Sequence, residues 1–224
     1  MQREIRFTSD GSTTIFLPEL NESYHSKHGA IQEAYHVFIH NGLELFQGKD
    51  SVSILEMGFG TGLNAFITFL ESKKMMQNIE YVGIEAYPVS VNEWAEMNYV
   101  SQLNSTENFS YFKMMHEISW DEKYEISNNF KLTKRKQFFE AIDDVDQYDL
   151  IYFDAFGFTA QPEVWSEEIF KKMYLALTNN GVLVTYACRT PIKNAMLNSG
   201  FSIEKLPGAP GKREMLRARK INSI

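Results

Sequence analysis

Apolar residues fall along this chain in two alternating rhythms. Near-continuous apolar runs at 52–57, 80–85, 148–154 and 181–187 read as short strands buried on both faces, and 62–73, 88–99 and 166–177 read as helices between them. Strands and helices in repeated succession predict a parallel sheet covered on both sides, whose ligands bind beyond the carboxyl ends of the strands. Both ends of the chain break this rhythm. Residues 5–8 and 14–17 flank Asp10-Gly11-Ser12 as a hairpin, and from Gly29 to Phe46 the apolar Ile31, Tyr35, Phe38, Ile39 and Leu43 recur at helical spacing, with Gly42 a weak point. Later, 201–206 and 214–218 are strand-like runs joined by Pro207-Gly208-Ala209-Pro210-Gly211, too short a link for a helix, so they pair as an antiparallel hairpin. Residues 100–145, with polar insertions and Asp143-Asp144-Val145-Asp146, read as solvated loop. The division expected is a hairpin-and-helix extension over 1–50 and an α/β domain over 51–224.

The chemistry concentrates at the predicted strand ends. Ser53-Ile54-Leu55-Glu56-Met57-Gly58-Phe59-Gly60-Thr61-Gly62-Leu63-Asn64 joins a buried strand, an acid and three alternating glycines that open a helix. Glycines let the backbone turn tightly and approach a ligand where a Cβ would collide. The dinucleotide fingerprint G-x-G-x-x-G is not met, because the third glycine comes one residue early and Leu63 holds its place. Glu56 beside bound phosphates is electrostatically wrong for NAD but suits a cationic ligand such as S-adenosylmethionine, with its sulfonium and α-amino group. Glu85 ends the next strand 23 residues past Gly62, where an acid accepts from both ribose hydroxyls. The pattern E-x-G-x-G-x-G resembles the first motif of Rossmann-like methyltransferases, which implies a mostly parallel seven-stranded sheet finished by an antiparallel C-terminal hairpin. Asp154 ends what reads as the central strand next to the cofactor. Methyl transfer to an amine needs a free lone pair, yet an alkylamine of pKa about 10 is mostly protonated at neutral pH. Asp154 is the carboxylate expected to orient such an amine and take its proton, with Phe156, Phe158 and Trp165 as an apolar wall or a stacking surface.

Composition narrows the setting. No window of about 18 uncharged apolar residues is present, and no apolar signal core follows Met1, so a soluble cytoplasmic protein without a membrane partner is expected. The single cysteine, Cys188, reads as a strand-end core residue. His36 and His40 stand four apart, but no acid completes a zinc motif and no metal is expected. The net charge of −7 argues against nucleic acid, yet 205–220 gathers Lys205, Lys212, Arg213, Arg217, Arg219 and Lys220 against the single acid Glu214.

Five pieces in order carry a closer resemblance. Tyr24-His25-Ser26 with Gly29-Ala30, His36-Val37-Phe38-Ile39, the stretch from Glu56 to Asn64, Phe153-Asp154-Ala155-Phe156 with Pro162-Glu163-Val164-Trp165, and Pro210-Gly211-Lys212-Arg213-Glu214-Met215 together resemble the MnmC-type methyltransferase family. The resemblance implies transfer of a methyl group from S-adenosylmethionine to the aminomethyl nitrogen of 5-aminomethyl-2-thiouridine at the tRNA wobble position. It implies Glu56, Gly58, Gly60, Gly62, Asn64 and Glu85 on the cofactor and Asp154 beside the amine. A wobble base in the anticodon loop is read by stacking and by phosphate contacts, for which Phe156, Lys212, Arg213 and Arg217 are the candidates. With the sequence ending at Ile224, the form expected is one without the FAD oxidase domain, similar to the stand-alone, MnmD-like branch, which would need an aminomethyl precursor made by other enzymes. Methyltransferases of this shape often place an acid after the third strand to meet adenine. None fits at 130–136, so the adenine contact has no candidate. A small-molecule amine methyltransferase and a non-catalytic adenosyl-ligand-binding subunit are the alternatives.

Overall fold

A computed structural model describes residues 2–221. The central strand β4 (Ser51–Met57) buries Val52, Ile54, Leu55 and Met57 completely, as a strand with helices on both faces must. It pairs in parallel with β5 (Asn78–Ile84) on one side and β8 (Tyr148–Phe153) on the other. The remaining strands are β6 (Lys123–Ser127), β7 (Phe130–Arg135), β9 (Leu177–Thr185), β10 (Ser202–Pro207) and β11 (Glu214–Arg219). The sheet runs β10-β11-β9-β8-β4-β5-β7-β6, with β11 antiparallel to both of its neighbours. This is the Rossmann-like methyltransferase arrangement with the expected C-terminal hairpin and one further edge strand, β6. Register decides where the chemistry lies. Met57 pairs with both Ile84 and Phe153, so the residues that follow, Gly58, Glu85 and Asp154, emerge side by side at one edge.

Helices α2 (Leu63–Met75), α6 (Glu167–Ala176) and α7 (Thr190–Asn198) fall close to expectation or fill the gaps between strands. Two expected helices do not run through. At 29–46 the structure has α1 (Ala30–Ala34), a π-helical turn Tyr35–His40 and a 3-10 turn Leu43–Phe46. They part at Gly42, where a Cβ would strike the carbonyl oxygen of Phe38. At 88–99 the helix splits into α3 (Val91–Ala95) and α4 (Tyr99–Gln102) because Asn98 serves the N-terminal hairpin instead. Its Oδ1 accepts from the Thr13 amide at 2.8 Å and its Nδ2 donates to the Gly11 carbonyl at 2.9 Å.

The stretch 100–145 is not the solvated loop its polarity implies. It folds into α5 (Phe109–Glu117), β6 and β7. On β7 the inward positions are Phe130, Leu132 and Lys134, and a lysine at a core position disguises the alternation. Lys134 is only 1% exposed; its ammonium donates to the His116 carbonyl at 2.7 Å and lies 4.7 Å from the Trp120 ring. The N-terminal strands β1 (Glu4–Phe7), β2 (Thr13–Leu17) and β3 (Glu22–Ser23) form a separate antiparallel sheet. Ile15 and Leu17 of β2 nevertheless pack in one cluster with Val52, Ile54 and Phe66. Among the described residues no helix is long and apolar enough to cross a membrane.

Candidate active site

The loop from β4 to α2 is held by its glycines. Gly58, Gly60 and Gly62 all have positive φ, at 96°, 50° and 72°. A Cβ on Gly58 would stand 2.7 Å from the Asp154 carbonyl oxygen, so only glycine lets the loop lie against the end of β8. Glu85 secures it from β5, accepting from the Gly60 amide at 3.0 Å and the Tyr87 amide at 2.9 Å.

Beyond this loop lies a cavity of about 260 Å³ over the ends of β4, β5 and β7. Its charged lining is uniform: Glu85, Glu140, Asp154 and Glu163, with no lysine or arginine among the described residues. The one histidine there, His25, is held neutral because burial pushes its pKa down to about 4. An anionic cradle with glycine backbone at close range repels phosphates and accepts a sulfonium and an ammonium, so the residues fit S-adenosylmethionine. Tyr87 and Phe138 meet edge to face at 5.8 Å on the cavity wall, and Phe139 and Glu140 follow them. This segment after β7 places an aromatic surface and a carboxylate two to four residues beyond the stretch where the sequence offered no acid for adenine. The intervening loop hid the signal.

Two residues expected on the cofactor take other places. Glu56 is completely buried and does not line the cavity. It lies beneath Asn64, whose Nδ2 donates to Glu56 Oε1 at 3.0 Å and to Asp154 Oδ2 at 2.8 Å. Burial first, and the neighbouring Asp154 second, raise the Glu56 pKa well above the carboxylate range. Gly62 caps α2 in the left-handed region, with its Cβ position against His116 rather than facing the cavity. Gly58, Gly60, Asn64 and Glu85 do line it.

Asp154 stands where this cavity meets a second one of about 640 Å³ over the ends of β8, β9 and β11. Tyr24, His25, Asp154, Ala155 and Phe156 are common to both. Desolvation, followed by the charge of Glu33, pushes the Asp154 pKa up to about 7, while the Asn64 amide and Lys212 pull it down. Phe156 packs edge to face on Tyr24 at 5.0 Å, and its carbonyl is pinned by the Trp165 indole at 2.8 Å. Trp165 itself is core at 1% exposure, and Phe158 and Cys188 sit on the wall of the second cavity.

The basic segment divides. Arg213 is exposed on the rim of the second cavity. Lys212 turns inward, ion-paired with Glu33 and with its ammonium 3.6 Å from the Tyr186 ring centroid. Arg217 lies along β11, paired with Glu204 across the hairpin at 2.8 Å, and lines neither cavity. Sequence reading missed Lys27 and Arg189, exposed cations that share the rim with Arg213 from distant loops. No local spacing connects the three.

Comparison with known proteins agrees with this geometry. The chain is 27% identical over 96% of its length to the tRNA 5-methylaminomethyl-2-thiouridine biosynthesis bifunctional protein MnmC of Azoarcus sp. (strain BH72). It is 28% identical to the protein of that name from Campylobacter fetus, again over 96% of its length. It spans 35% of each of those relatives, about a third. Among solved structures, MNMC2 from Aquifex aeolicus superposes with a TM-score of 0.80 at 20% identity, covering 99% of this chain and 71% of that one. Spermidine synthase from Thermotoga maritima shares the fold at a TM-score of 0.52 and 12% identity, over 98% of this chain and 72% of that one. A family described as S-adenosyl-L-methionine-dependent methyltransferase matches residues 97–221, more than half of the chain. The protein belongs to that family, and its methyl donor is S-adenosylmethionine.

Proposed function

We propose that this protein transfers a methyl group from S-adenosylmethionine to the aminomethyl nitrogen of 5-aminomethyl-2-thiouridine at the tRNA wobble position, giving 5-methylaminomethyl-2-thiouridine. One observation carries the reading: Asp154 joins an anionic, glycine-floored cavity to a larger one with a basic rim. The printed name of the relatives, which concerns biosynthesis of that nucleoside in tRNA, supports the choice of acceptor. When bound, S-adenosylmethionine supplies an electrophilic methyl group. The chain's own task is to present an uncharged amine. Asp154, with its pKa pushed up to about 7, is matched to take the amine proton near neutral pH. Phe156, between the cavities, offers the splayed base an aromatic face, and Lys27, Arg189 and Arg213 face the phosphates of the anticodon loop. The aminomethyl group must already be in place before the methyl group is transferred.

The test is incubation with labelled S-adenosylmethionine and tRNA carrying 5-aminomethyl-2-thiouridine, followed by nucleoside mass spectrometry. The intact protein is expected to yield the methylaminomethyl product. Asp154→Asn is expected to bind cofactor normally by calorimetry yet lose about 10²–10⁴-fold in transfer. Cofactor binding with no label in tRNA overturns the reading.

A further inference from the structure

The second cavity already contains a primary alkylammonium, that of Lys212. Its partner Glu33 lies on α1, only 8% exposed, with Oε2 accepting from the Ser26 amide at 3.1 Å and Oε1 taken by Lys212. Beneath the ammonium is Tyr186, whose hydroxyl donates to the Ala155 carbonyl at 2.9 Å, next to Asp154. Both the ion pair and the ring are thus built into the wall beside the acid. Without the lysine, an incoming aminomethyl group meets two acids at once, Glu33 and Asp154, and a charged amine held between carboxylates cannot attack a methyl group.

Resting on the proposed function, we infer that Lys212 is a positioning residue which, by occupying Glu33, leaves the acceptor amine to Asp154 alone and holds that amine in its neutral, nucleophilic form. The electrostatic surroundings agree. Glu22 on β3 and Arg189 before α7 also face this cavity, and Glu22 is raised by burial while Lys212 and Arg189 pull it down. His25 between the cavities is uncharged, Tyr24 and Tyr186 keep their protons, and Glu56 below is shielded by Asn64. Asp154 is raised by Glu33 and lowered by Lys212, as expected if the pair straddles it. A lysine used in this way is an electrostatic device and not a phosphate contact, which separates Lys212 from its neighbour Arg213.

The experiment compares the wild type with Lys212→Met and Lys212→Arg, each checked for folding by thermal denaturation. Transfer to tRNA carrying 5-aminomethyl-2-thiouridine is followed from pH 6 to 10. In parallel, the same tRNA with a ¹³C-labelled aminomethyl carbon is titrated by NMR on the protein saturated with S-adenosylhomocysteine. Lys212→Met is expected to move the acidic limb of kcat/KM, and the bound amine's titration, upward by at least one pH unit, at a tRNA affinity within about threefold of wild type. Lys212→Arg, which keeps the charge, should hold both near wild type. An unmoved limb and titration, or a uniform loss of tRNA affinity at every pH, overturns the inference while wild-type transfer stands. Failure of wild-type transfer overturns the proposed function instead.

Discussion

Asn64 shows how little a residue type reveals when its neighbours come from elsewhere. In the sequence it is the last letter of a glycine motif; in the fold one amide group bridges two carboxyls, Glu56 and Asp154, separated by 98 positions. Replacing it by leucine, of similar size, leaves both acids without that donor in a buried setting. The expected cost is about 1–3 kcal/mol in chemical denaturation, with the acidic limb of transfer displaced to higher pH because the hydrogen bond that favours ionised Asp154 is gone. Unchanged stability would show that the bridge is not made. Asp154, Glu85 and Gly58 were legible because each terminates or follows an apolar run. Glu140, Lys27, Arg189 and Glu33 were not, because their roles come from tertiary proximity alone.

Among the elements, the strand-to-helix turn is the most legible and the most constrained. Apolar β4, three glycines and the start of α2 all show in the sequence, and each glycine has the positive φ that its residue type permits. Gly58→Ala adds a Cβ at 2.7 Å from the Asp154 carbonyl oxygen, at a φ of 96° that alanine rarely adopts. It is expected to destabilise the protein by more than about 1 kcal/mol and to abolish measurable S-adenosylmethionine binding by calorimetry. Retention of both would mean the turn adapts. The elements that escaped notice were those with mixed faces. In β7 a lysine occupies an inward position, and in α3 and α4 a helical rhythm is interrupted because Asn98 bonds to the β1–β2 hairpin. A hydrophobic pattern reports burial well where burial and apolarity coincide, and fails where a buried polar group finds its partner on another element.

At the scale of the molecule, buried histidines tie stability to pH. His116 stacks on Trp94 at 4.9 Å with the rings 7° apart, and burial, reinforced by the charge of Lys134, pushes its pKa down to about 3 from 6.5. Between those values the unfolded chain binds a proton that the folded chain refuses, so stability is intact above pH 6.5 and falls as the pH drops below it. His116→Phe preserves the stack and removes the titration. Its stability relative to wild type is expected to rise as the pH is lowered from 7.5 to 5, read by denaturant midpoints at each pH; a constant difference refutes the assignment.

The common wall of Tyr24, His25, Asp154, Ala155 and Phe156 has one more consequence for turnover. Under the proposed function, donor and acceptor would reach it from neighbouring chambers, so that neither would sit in the other's doorway. The two would then need no fixed order of arrival, and the shared wall would let the acceptor amine meet the donor directly, without a covalent methyl-enzyme on the way.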